Sequence, residues 1–243
     1  MNEQESSCDR TLLRTGAIAA VAGVVTALVQ TAIDPSMPDD PAQAIRKASE
    51  SHMLALSRVL DMAAFLLLLG GVAVATRALS TGRSAPWARI GLVFFAVSAG
   101  AGAIATMIVG ALPDVADAWA SAPAARQPGY VAVYDALDNL SGGIFGVSWA
   151  ALGVFGLLYA VAIAKSPIFP RPLVWISGAS GFASITAVVV GVGLQGGGAF
   201  LFLLLGLLLS YVVILSLGVK LWRLASTRPA TAPAEPASRS AVA

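Results

Sequence analysis

Apolar residues run through this chain in six long blocks. Each comes close to the roughly 20 residues an α-helix needs to cross a hydrocarbon core about 30 Å thick at 1.5 Å rise per residue. Five are plain from the pattern alone: 15–33, 90–112, 140–164, 173–194 and 199–219. The second block differs. Its uncharged part, residues 62–76, would form a helix only about 22 Å long. To reach bilayer length it must extend back to about residue 56, which carries Arg58 and Asp61 roughly one turn inside the membrane boundary. The pattern therefore predicts an all-α, polytopic membrane helical bundle of six transmembrane helices, with the second span at 56–76.

The connections differ in kind. Asp39 or Asp40 is placed to cap a helix starting at Pro41, a residue suited to the first helical turn, and that helix is expected to run unbroken into the second span. Residues 113–127, with Trp119 and then Pro128, Gly129 and Tyr130, read as an interfacial segment with aromatic anchors. Residues 195–198 leave the last two helices as a tight hairpin. Residues 1–13 form a short N-terminal segment, 14–223 the transmembrane domain, and 224–243, rich in Ala, Pro and Ser, a disordered tail. No duplicated half is visible. Gly142 with Gly146, and Gly178 with Gly181, have the spacing of tight helix contacts.

Charge sets the orientation. Eleven of the fifteen Lys and Arg residues fall at the N-terminus, in the second and fourth connections and at the C-terminus. The other side holds Arg46, Lys47, Arg58 and Arg126 against nine carboxylates. The positive-inside rule places both termini in the cytoplasm. With 57% hydrophobic and only 12% charged residues, against about 25% charged in soluble domains, the composition fits no water-soluble core. The net charge of +2 with no dense basic cluster argues against a nucleic-acid partner. Cys8, the only cysteine, excludes an intramolecular disulfide and a redox pair, and the polar stretch before it lacks the apolar core of a signal peptide. The dominance of Arg over Lys, with Ala, Gly and Val abundant, points to a bacterial plasma (inner) membrane. The bilayer is the expected partner, with other membrane proteins or a second copy as further candidates. No cofactor is expected.

The run GLLYAVAIAKSPIFPRPLVWISGASG, residues 156–181, ends one helix near a Tyr, passes through a short basic loop with Pro and Arg, and opens the next helix with Leu and Trp. It resembles a family of uncharacterised bacterial multi-spanning membrane proteins of similar length and helix count, a likeness that extends loosely over residues 10–223. The resemblance implies the six-helix fold and a membrane location. It brings no activity and no site residues.

The chemistry concentrates where the second span begins. Arg58 and Asp61, three positions apart, share a helical face and can pair with each other, which lowers the cost of burying both charges. Alternatively, they belong to an outward-facing polar cluster with Asp34 at the end of the first span and Asp135 and Asp138 at the head of the fourth. Asp135 and Asp138 form a D-x-x-D pair of the kind that can hold a divalent cation, although carboxylates also suit a solvated helix N-terminus. His52 lies about 180° around the helix from Asp61, and being the sole histidine it rules out bis-histidine ligation. The Gly178-Ala179-Ser180-Gly181 run resembles the G-x-S-G of rhomboid proteases, but no histidine follows His52 to serve as base, so Ser180 reads as a packing residue.

These features leave three readings. A non-catalytic accessory or assembly protein acting through its helical surfaces leads, because no nucleophile with base, metal triad or Walker motif is present. A small transporter with an outward-facing vestibule at Gln30, Asp34, Arg58 and Asp61 is the alternative. It calls for polar groups at mid-depth, where only Ser98, Thr106, Ser148 and Thr186 are available. An enzyme using Asp61 as acid on a lipid or isoprenoid is the third.

Overall fold

A computed structural model describes residues 3–35, 37–38, 40–51, 53–80, 82–194 and 198–227. The expectations for Asp39, His52, the 195–197 hairpin turn and the tail from residue 228 lie outside the described residues. Among these residues all long elements are helical: α1 (Glu3–Ile33), α2 (Pro41–Glu50), α3 (Met53–Leu79), α4 (Ala85–Gly110), α5 (Leu112–Ser121), α6 (Gln127–Ala164), α7 (Pro172–Leu194) and α8 (Gly198–Thr227). Six are long and apolar enough to cross a membrane, and the chain is a multi-pass membrane protein.

Each span packs on the next in sequence and α8 returns to α1, so that α1, α3, α4, α6, α7 and α8 form a closed ring. One end of the ring gathers the basic residues. There Arg77 pairs with Asp9 at 3.0 Å, Lys165 sits 4.8 Å from the Trp87 ring centre and Arg14 sits 5.8 Å from that of Trp222. Such aromatic and basic pairs are the usual anchors of a membrane–water boundary. The opposite end carries α2, α5 and most of the carboxylates.

Several expectations about the connections change. Asp40 does cap α2, accepting from the Ala42 amide at 2.8 Å, with Pro41 in the first turn. The helix does not continue into the second span. It ends at Ser51, whose amide turns back to Ala48 O at 3.3 Å, and α3 starts afresh at Met53. α2 is thus a separate amphipathic helix that lays Ala44, Ile45 and Ala48 against Leu54, Leu112, Ala116 and Tyr134. Ile45 is fully buried there, which contributes about 1.5–3 kcal/mol to seating α2. Pro113 has no N–H with which to continue α4, so the chain bends at Ala111 and α5 packs against α2 and α6. α6 begins at Gln127, thirteen residues before the apolar block that announces it, and α8 runs through Thr227, into the stretch expected to be tail. At the basic end, Gly82 holds φ +56°, a left-handed turn that favours glycine between α3 and α4.

The two halves of the ring are packed differently. In the basic half, Val72, Phe95, Phe155, Tyr159, Val213 and Leu217 fill the axis, with ring centres 4.7 Å apart for Phe95–Phe155 and 4.4 Å for Phe155–Tyr159. The Tyr159 hydroxyl is satisfied inside this plug by Thr76 Oγ1, which also donates to Val72 O at 2.8 Å. The acidic half has no such plug.

Candidate functional site

The space left in the acidic half is one cavity of about 910 Å³, and all six spans line it. Its floor lies at Phe95, Leu152 and Ile214, the top of the packed plug. Ser98, on its wall, is twelve residues from the end of α4, about 18 Å along the helix, so the cavity reaches to about mid-depth. A smaller recess of about 530 Å³ lies beside it, walled by Met37, Leu112, Tyr134, Asp138 and Ser141. Gln30, Thr31, Asp34, Arg58, Gly142 and Phe145 line both spaces and form the neck between them.

At the neck, the expected partnership of Arg58 with Asp61 is replaced by two interhelical ones. Arg58 Nη2 donates to Asp34 Oδ1 at 2.5 Å, tying α3 to the end of α1, and Ser57 Oγ lies 2.9 Å from the same oxygen. Asp61 Oδ2 instead accepts from Thr106 Oγ1 of α4 at 2.6 Å. The reason is directional. Side chains on a helix lean toward its N-terminus, so the long Arg58 side chain reaches the acidic end and Asp34, away from Asp61 one turn deeper. Arg58 Nε is buried and has no hydrogen-bond partner among the described residues.

The remaining cluster members separate. Both are exposed, but Asp138 lines the outer recess, whereas Asp135 lines neither space and is held by Asn139 Nδ2, which donates to its Oδ1 at 3.2 Å and its backbone carbonyl at 2.9 Å. Neither sits at a helix N-terminus, because α6 starts eight residues before Asp135. Among the described residues no three His, Cys, Asp or Glu side chains gather closely enough to hold a metal ion. Ser180 is buried and sits 2.7 Å from Ser210 Oγ, a polar contact between α7 and α8.

The deeper wall adds residues that the sequence reading passed over: Phe65, Trp149, Ser210 and Tyr211. Trp149 carried a usable signal, since Trp prefers the membrane interface and this one sits in the middle of a span. Ser98 and Ser148 line the cavity, as a vestibule reading needs, while Thr186 stands outside it. The hydroxyls are already engaged: Ser148 Oγ donates to Ser98 O at 2.8 Å and Ser210 Oγ to Gly206 O at 2.8 Å. Comparison with protein-family models, curated proteins and solved structures finds no match to this chain.

Proposed function

We propose that this chain is a small transporter of the bacterial plasma membrane that takes its solute into the central cavity from the outer face. One observation carries the reading: a single cavity, lined by all six spans, is sealed by packed side chains toward the basic end and reaches the acidic end through a neck holding Asp34 and Arg58, with Asp61 just inside it. By the positive-inside rule the basic end is cytoplasmic. A bundle acting only as an assembly surface needs no internal space of this size. Ionisable residues at membrane depth that face a cavity are the usual mark of a solute pathway.

Cysteine labelling in a Cys8→Ser background tests this reading. Ser98→Cys and Ser210→Cys should react with a membrane-impermeant thiol reagent added outside intact cells, whereas Val72→Cys and Leu217→Cys, inside the plug, should not. An unreactive Ser98→Cys, or equal reactivity at Val72→Cys, sinks the outward-facing cavity.

A further inference from the structure

The seam between α6 and α7 points to how the cavity is filled and by what. Along α6, residues 142, 146, 149, 153, 156 and 160 recur at intervals of four and three and so form one stripe. In the basic half that stripe is in close contact with α7. A Cβ on Gly156 would come within 2.8 Å of the Gly181 backbone, and one on Gly153 within 2.5 Å of Ile185. Ser177 Oγ of α7 also donates to Gly156 O at 2.8 Å. In the acidic half, a Cβ on Gly146 or Gly142 would meet no atom of the described residues within 4 Å. Both glycines line the cavity, with Val188 and Gly191 of α7 across from them. Where that contact stops, the seam between α6 and α7 forms part of the cavity wall.

The chemistry of the wall is just as uneven. Ionisable groups are confined to the acidic end of the cavity, where the carboxylates of Asp34 and Asp61 outnumber the Arg58 guanidinium, with Asp138 adding a third carboxylate just outside. Deeper in, Phe65, Leu68, Trp149, Leu152 and Leu207 dominate, and the serine hydroxyls are spent on backbone carbonyls or on each other. A solute polar over its whole length, such as a sugar, would find there only the Trp149 indole N–H and the Tyr211 hydroxyl to replace the water it loses. An apolar chain would lose nothing.

We infer that the cavity takes a cationic amphiphile, with its positively charged head at Asp61 and the neck, its single apolar chain in the deep half, and access from the outer leaflet through the α6–α7 cleft. This rests on the outward-facing cavity proposed above and adds the class of ligand and its route. The head is matched by the local excess of carboxylate. The chain is matched by the apolar wall, and the total volume lies within the range of small-molecule sites.

The test uses the full chain in nanodiscs with Trp87, Trp119, Trp175 and Trp222 replaced by Phe, leaving Trp149 as the reporter. Dodecyltrimethylammonium carrying bromine at its chain end, below its micelle-forming concentration, should quench Trp149 saturably. The bromine-ended dodecyl sulfate should bind at least about tenfold more weakly, and Asp61→Asn should weaken the cation by a similar factor. Gly146→Leu, and independently Gly142→Leu, should fill the cleft and reduce quenching several-fold while the protein still elutes as a folded species. Equal affinity for the sulfate, or quenching unchanged by both leucines, overturns the inference. If Ser98→Cys is labelled from outside but the cation does not quench Trp149, the cavity stands and the amphiphile fails. If Ser98→Cys is silent, the cavity reading itself has failed.

Discussion

The basic and acidic halves of this ring are built from the same six helices, yet one is solid and the other hollow. In the basic half, glycine brings backbones together: Gly71 lies on Ala20 and Gly156 on Gly181, and the space that remains is filled by Phe155 and Tyr159. In the acidic half, glycine on the same stripe of α6 holds the space open. A small residue in a membrane helix therefore has two uses. It permits contact where a partner backbone arrives, and it leaves room where none does.

The largest effect should come from breaking the contact half. At Gly181 a Cβ would meet Gly153 O at 2.6 Å and Leu157 N at 2.7 Å, both backbone atoms that cannot step aside. Gly181→Leu should destabilise the protein by about 3 kcal/mol or more, read as loss of the monodisperse species and a lowered Tm. Gly146→Leu, on the hollow side, should leave Tm nearly unchanged. Similar Tm values for the two variants would erase the distinction between halves.

Tyr159 sharpens the comparison inside the plug, beneath the floor of the cavity. It is fully buried and bonded to Thr76 across the plug. Tyr159→Ala should cost about 3–5 kcal/mol by the void it leaves. It should also open the floor, making Val72→Cys reactive from the outer face in any protein that still folds. Tyr159→Phe keeps the ring and removes one buried hydrogen bond while Thr76 keeps its own to Val72 O, so its cost should be about 1 kcal/mol, with no new labelling.

The ion pair at the neck comes next. Arg58→Ala leaves the partly buried Asp34 carboxylate with only Ser57, and a loss of about 1–3 kcal/mol is expected. Adding Asp34→Asn should restore much of it, because the stranded charge is then gone. Chemical denaturation of the single and double variants measures the coupling. Additive losses would mean that the pair contributes nothing to the neck.

The fold was legible in the sequence because lipid imposes a length: about 20 apolar residues per span, which located all six helices and required the second to carry its charges. What the pattern could not show was which glycines meet a partner helix. Gly142 and Gly146 have the same spacing as true contact glycines, and only the position of α7 separates the two uses. Arg58 and Asp61 share a helical face, so sequence spacing pointed to each other as partners. The actual partners, Asp34 and Thr106, lie on neighbouring helices and are set by the antiparallel ring and the lean of side chains along α3. The break at Ser51 escaped for a related reason. No proline or glycine marks it, and what fixes α2 is tertiary burial of Ile45 against α5 and α6.

The smallest expected effect separates the two carboxylates that the sequence treated as a pair. Asp135 and Asp138 are three residues apart on α6, but Asp138 faces the recess beside Arg58 and Asp34, while Asp135 bonds to Asn139 on an exposed surface. Neutralising Asp135 removes one exposed hydrogen-bond acceptor, so Asp135→Asn should change stability by less than about 0.5 kcal/mol and leave binding at the cavity untouched. Asp138→Asn should be equally mild for stability but should lower the association rate of a cationic ligand about two- to threefold at low salt. A carboxylate at a mouth acts on approach more than on the bound state. The difference should fade as ionic strength rises and the Debye length falls below the width of the recess. Stopped-flow quenching of Trp149 at two salt concentrations measures it. Equal effects from Asp135→Asn and Asp138→Asn would mean that the charged head does not pass the recess while the apolar chain enters by the α6–α7 cleft.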